Sequence, residues 1–158
     1  MRRRRALPRA LAYAAATAGA LTVAAPSVTA DDGATVSVRI SGLESSKGAV
    51  MSSIFKGSDG FPSSHAKAHK KAVVQISGGK ATVTFKGLPP GDYAVAAFHD
   101  ENGNKKLDKG MFGAPSEGWG VSNNPTARLR APRWGEAKFT VPEGGTKNLN
   151  IKLRYPNW

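Results

Sequence analysis

The chain has 158 residues, a formal net charge of +12 and no cysteine. That length suits one domain. The missing cysteines exclude disulfides and thiolate chemistry, so stability has to come from a packed core, with or without a bound ion.

Residues 1–30 read as a leader rather than as fold. Arg2 to Arg5 and Arg9 form a positive segment, Leu11 to Ala25 is apolar and Ala-rich, and Val28-Thr29-Ala30 is a small-residue cleavage site. This is the pattern of a secretory signal peptide, with an apolar run too short to span a membrane comfortably. The four consecutive arginines also suit twin-arginine export. An exported protein, periplasmic or extracellular, is therefore expected, with 31–158 as a single domain and no membrane span after cleavage. Loss of the leader takes Lys+Arg from 23 to 18 against 11 acidic residues, a net charge of +7. A basic exported domain favours acidic partners such as a cell-envelope polymer or protein. It carries no nucleic-acid reader motif, so nucleic acid is not an expected partner.

Residues 34–41 alternate Val36, Val38 and Ile40 with Thr35, Ser37, Arg39 and Ser41, which predicts a half-buried strand. Residues 49–56 are apolar on both faces and read as a central strand. Gly57 to Pro62 is a loop, and His65-Ala66-Lys67-Ala68-His69 suits a short helical turn. Residues 71–77 and 80–86 are two further strands, joined by a hairpin turn at Ser77-Gly78-Gly79-Lys80. Leu88-Pro89-Pro90-Gly91 turns the chain into 92–99, a strand apolar on both faces. Here Tyr93 suits either a tyrosine corner or a plain tight turn. After a long connection, Glu136–Val141 and Lys147–Leu153 are expected to form a last hairpin around Pro142 to Gly145. The sum is an all-β fold, a seven-stranded antiparallel β-sandwich, immunoglobulin-like or prealbumin-like, with one long loop insertion.

The stretch His99-Asp100-Glu101-Asn102-Gly103-Asn104-Lys105-Lys106-Leu107-Asp108 is dense in oxygen donors. With Asp100 as the first position of a calcium loop, Asn102, Asn104, Lys106 and Asp108 take every second place, Lys106 through its backbone carbonyl. The loop departs from the full motif. Lys105 stands where the sharp turn usually has Gly, and Met111 stands where a bidentate Glu closes the shell. Glu117 is the expected completing ligand from outside the run. Two readings stand side by side: a weak Ca²⁺ site made by these residues, or a run of Asx turns without metal. No other cofactor is expected.

From Asp100 to Arg133 the connection is 34 residues long, and loops of that length usually carry function or structure. Its block Gly113 to Pro125 holds Glu117, Ser122, Asn123 and Asn124. With His99 and Trp119, the last three are candidate binding residues. Phe112, Trp119 and Trp134 suit stacking on a sugar or packing as a small core. Arg128, Arg130 and Arg133, and Lys67, Lys70 and Lys71, are two basic stretches that suit an anion-binding patch or solvated surface. His65 and His69 are spaced for a transition metal but lack a third ligand. No nucleophile elbow, zinc-protease or P-loop motif occurs, so a non-enzymatic module is expected, with an envelope glycan or anionic-polymer binder as the alternative. A hydrolase would have to use Glu117 or Asp108.

LPPGDYAVAAFHDENGNKKLD, then FGAPSEGWGVSNN, then APRWGEAKF, together resemble the bacterial family called domain of unknown function 2141 over about residues 35–153. Lys105 is a departure, because the family often has Gly there, and Arg128 to Arg133 is an added basic stretch. The resemblance implies a secreted or periplasmic β-sandwich with no established activity. It puts Glu117, Gly118, Ser122, Asn123 and Asn124 in one motif block with Asp100 to Asp108.

Overall fold

A computed structural model describes residues 33–127 and 130–156; the leader at 1–30 and Arg128 lie outside the described residues. Among the described residues the fold is all-β, with eight strands in two sheets and almost no helix. The strands are β1 (Ala34–Ser41), β2 (Ala49–Phe55), β3 (Lys70–Val74), β4 (Ala81–Leu88), β5 (Gly91–Asp100), β6 (Trp119–Val121), β7 (Phe139–Val141) and β8 (Thr146–Lys152). The helical turns are short: α1 spans Trp134–Ala137, and single 3-10 turns lie at His65–Lys67, as expected, and at Met111–Gly113. No helix among the described residues is long and apolar enough to cross a membrane.

β1 follows its alternation: Ala34, Val36, Val38 and Ile40 are buried and Arg39 is exposed. It is the middle strand of a three-stranded sheet ordered β4-β1-β8. Val38 lies opposite Val83 of β4 on one side and Leu149 of β8 on the other. The second sheet runs β3-β2-β5-β6, and β7 also pairs with β5. One core cluster draws on both sheets, including Val36, Val38 and Ile151 from the first and Val50, Ile54, Tyr93 and Val95 from the second. A smaller cluster covers the other side of the second sheet, where Phe61 and Trp134 pack edge to face over Phe55, Ala94, Ala96 and Val121. That second layer explains why β2 and β5 are apolar on both faces. Every residue of β5 from Tyr93 to Asp100 is buried.

Tyr93 makes the corner: its hydroxyl donates to the Pro89 carbonyl at 2.8 Å, four residues upstream. The turn at Ser77–Lys80 also forms, with hydrogen bonds in both directions at 2.9 and 3.1 Å. The strands beside it then part, β3 pairing with β2 and β4 with β1, so the turn joins two sheets instead of closing a hairpin.

The end of the chain departs from expectation in three ways. β6 is an eighth strand, too short and too Gly-flanked to stand out in sequence; its Trp119 faces Phe98 of β5. Glu136 lies in α1, and only Phe139–Val141 is strand. Most consequentially, β7 and β8 do not pair. β7 runs antiparallel to β5, Tyr93 opposite Phe139, whereas β8 lies parallel to β1. The arrangement is therefore not purely antiparallel. The physical reason is edge satisfaction: a β7–β8 hairpin would leave the free backbone edges of β1 and β5 without partners.

Candidate functional site

The site begins where β5 ends, with two polar residues inside the protein. His99 is fully buried and Asp100 is 3% exposed. The His99 Nε2 faces the Lys47 carbonyl at 2.7 Å, and a carbonyl can only accept, so Nε2 carries the proton. Nδ1 meets the Tyr155 hydroxyl at 2.6 Å and lies 3.5 Å from Glu101 Oε1. The Tyr155 oxygen in turn accepts the Glu44 N–H at 3.2 Å. Burial raises the Tyr155 pKa above its ordinary value, which keeps the phenol a donor. His99 thus joins the β1–β2 turn to the chain's last segment. Two glycines make room for this junction. A Cβ on Gly118 would collide with the Tyr155 ring, and one on Gly48 would overlap the Asp100 carbonyl.

Asp100 turns the chain. Its Oδ1 accepts the N–H of Gly103 (2.8 Å) and of Asn104 (3.1 Å), and its Oδ2 accepts that of Lys105 (2.9 Å). Lys105 adopts φ 62°, the left-handed conformation that Gly takes more cheaply, so the sharp turn forms with lysine in it. Two Asx turns follow. Asn102 Oδ1 accepts the Asn104 N–H (3.0 Å), and Asn104 Oδ1 accepts the Lys106 N–H (2.8 Å). The Nδ2 atoms of Asn102 and Asn104 donate to Asp108 Oδ2 (2.6 Å) and Oδ1 (2.8 Å). Asp100, Asn102, Asn104 and Asp108 therefore converge, as their alternation predicts. The Lys106 side chain points to solvent and Leu107 is half-buried.

Glu117 is 6% exposed and holds the loop shut. Its Oε1 accepts the Glu101 N–H and its Oε2 the Asp108 N–H, each at 3.0 Å. It ties the loop's entrance to its exit. Ser116 N–H adds a bond to the Asp108 carbonyl at 2.8 Å. For a cation the donor set is mixed. Side-chain oxygens from Asp100, Asn102, Asn104 and Asp108 gather with spare lone pairs, but each already accepts an N–H. Both Asp108 oxygens face amide N–H groups. Among the described residues no group of three or more His, Cys, Asp or Glu is placed to hold a metal.

The other candidate residues hold the framework together. Ser122 fills the gap between β6 and β7 along β5: its Oγ accepts the Val95 N–H (3.0 Å) and donates to the Ala137 carbonyl (2.6 Å), while its N–H donates to the Val95 carbonyl (2.9 Å). Asn123 Nδ2 donates to the carbonyls of Glu136 and Lys138. Asn124 acts as a stand-in strand on the edge of β8, Nδ2 donating to the Asn150 carbonyl (2.9 Å) and Oδ1 accepting the Lys152 N–H (2.8 Å). Both asparagines have positive φ, which their type tolerates. Trp119 is half-buried, its backbone bonded to that of Arg154.

The three aromatics of the connection separate. Trp134 packs in the second cluster, Trp119 lies against the last segment, and Phe112 is wholly exposed. Of the basic stretches, Arg130 makes a two-pronged pair with Glu136 (2.9 and 2.6 Å), and Lys67 pairs with Asp59 at 2.8 Å. The Glu136 carboxyl is held down to about 2 by the Arg130 guanidinium and by the Arg133 N–H. His65 and His69 face different neighbours. His65 Nδ1 meets the buried Ser53 hydroxyl at 2.6 Å, and His69 sits at the Tyr93 ring. Sequence reasoning missed Tyr155, Gly48 and the Ser53–His65 contact, none of which leaves a local pattern.

No curated protein and no solved structure matches the chain at a significant level. One family's sequence model does, over residues 38–150, under the description "Uncharacterized protein conserved in bacteria (DUF2141)". That span covers most of the chain and contains the converging loop, its Glu117 tie and the Ser122–Asn124 junction: the protein belongs to the DUF2141 family.

Proposed function

We propose that this is an exported, non-enzymatic binding module on a β-sandwich of immunoglobulin-like or prealbumin-like type, whose working face is the loop system 99–124. One observation carries the reading. Four side chains with oxygen donors, Asp100, Asn102, Asn104 and Asp108, converge on a loop whose base is closed by a buried carboxylate. Burying Glu117 to fix a surface loop makes sense if the loop's shape matters. Ca²⁺ is the ion this oxygen set would take, with the Lys106 carbonyl and water adding to the side chains. Because hydrogen bonds already fold the loop, the ion adds to its order instead of creating it.

Melting the protein in EDTA and in Ca²⁺ tests the metal half. With a Kd of about 1 mM and about 10 mM Ca²⁺, the native state gains about 1.4 kcal/mol, a rise in Tm of roughly 5 °C. Asp108→Asn removes a charge and turns an amide N–H₂ toward one of the two asparagine donors, and should remove most of the rise. An unchanged Tm in the wild type overturns the calcium assignment.

One feature supports a non-enzymatic role. The oxygens of Glu117 and Asp108, the carboxylates a hydrolase would use, are all taken up by N–H donors. For an anionic envelope ligand, Lys105, Lys106 and Lys109 of the loop are exposed, as are Lys47, Lys71 and Arg133, while Arg130 and Lys67 are paired with acidic side chains.

A further inference from the structure

The loop runs on into a narrow finger. Lys109 and Pro115 bridge its two sides, and the Gly110 N–H donates to the Ala114 carbonyl at 2.8 Å. At its tip Met111 is 80% exposed and Phe112 fully exposed, the two most exposed large apolar side chains among the described residues. Phe112 has φ 62° and ψ 15°, a conformation that bulky residues avoid and that Asn or Gly would take without penalty. The protein thus holds an aromatic ring in solvent, at a backbone cost, and gains no packing from it. Ala114, Pro115 and Pro156 extend the apolar surface behind the tip. Lys105, Lys106 and Lys109, all exposed, lead into the tip along the chain, and Glu101 is the exposed acid of the same loop, while Asp108 is turned toward Asn102 and Asn104.

An exposed apolar tip with exposed lysines beside it in the chain fits one kind of partner: a surface that is anionic outside and apolar just beneath. A soluble polyanion would engage the lysines but has no place for Met111 and Phe112. We propose that the 109–115 finger docks this protein on an anionic lipid bilayer. Met111 and Phe112 enter the boundary between headgroups and acyl chains, and Lys105, Lys106 and Lys109 face the lipid phosphates. The proposal rests on the reading of 99–124 as a binding face and names its partner.

The test is co-sedimentation of the full chain with vesicles of phosphatidylcholine alone and with added phosphatidylglycerol. The wild type should bind the anionic vesicles more tightly, and added salt should weaken that binding. Met111→Ser with Phe112→Asn should lower the partition coefficient on the order of tenfold or more. Each Lys→Gln change at 105, 106 or 109 should lower it about fivefold. The Phe112 side chain touches nothing and Asn accepts its φ, so Phe112→Asn alone should keep or raise the Tm while weakening binding. Phe112→Trp should shift its emission to the blue on anionic vesicles and be quenched by brominated acyl chains. Equal binding of wild type and the tip variants overturns the proposal. So does binding lost with the lysines but kept without Met111 and Phe112, which would indicate adsorption to a polyanionic surface. The amino-terminal arginines and apolar run are common to all variants, so the difference reports on the finger. The calcium-dependent Tm is a separate readout, so either proposal can fail alone.

Discussion

Glu117 places each carboxylate oxygen on a different backbone N–H, so its loss leaves two part-buried donors without a partner at once. Glu117→Ala should cost about 2–4 kcal/mol, read from urea melts, with faster amide exchange at Glu101 and Asp108. Glu117→Gln keeps one acceptor but turns an amide N–H₂ toward the other donor, and should cost about half as much. If Glu117 instead completes a calcium shell, the Gln variant loses the Ca²⁺-dependent rise in Tm, which the tie alone does not require. The convergence of Asp100, Asn102, Asn104 and Asp108 was legible because all four lie within one short, alternating run. The work of Glu117 was not, because spacing brings a carboxylate near a loop without stating which atoms its oxygens meet. Lys105 argued against a sharp turn, yet three N–H bonds to Asp100 hold it there. The contacts of Tyr155 and Gly48 depend on segments far apart in the chain and leave no local trace.

At the scale of elements, alternation made β1 and β4 readable to within a residue or two, and the two-sided apolar runs of β2 and β5 correctly implied layers on both faces. Partners were harder. β7 and β8 look like a hairpin because they are neighbours in sequence, but a strand pairs with whichever backbone edge is still open. The edge of β8 away from β1 is itself partly covered by one side chain, Asn124. Asn124→Ala removes both bonds and places a Cβ residue less suited to φ 48° in the same position. A loss of about 2–3 kcal/mol is expected. Asn124→Gly relieves the backbone but not the bonds, and should lose about 1–2 kcal/mol. In both variants the Lys152 amide should exchange faster than in the wild type.

For the whole molecule, acid should act in two stages. Burial, then the charge of Lys71, lowers the His65 pKa below 6.5; burial, then Lys70 and Lys56, does the same for His69. Below pH 6.5 the unfolded chain therefore binds protons that the folded one refuses. Stability present above that pH declines as pH falls toward the folded-state pKa values. Glu136 behaves as a depressed carboxylate: its contribution holds above pH 4.5 and disappears only as pH falls through about 2. Asp92, lowered by its bonds to Lys138 and Thr140, adds to that second stage. Tm measured against pH should show both declines. His65→Gln and His69→Gln should flatten the first and leave the second.

The parallel seam between β1 and β8 sets the order of events when the chain first folds. Thr35 lies opposite Thr146, and Ser41 opposite Lys152. The first strand made is therefore the middle strand of its sheet, and one of its two edges stays open until the last strand exists. Closing so distant a contact is slow, and an open edge on a chain already partly collapsed invites pairing with other chains. A growing chain of this sequence gains little by folding early. Its two sheets close over a common core only once synthesis has passed residue 152, and a chain halted short of that point would be held open and prone to aggregate.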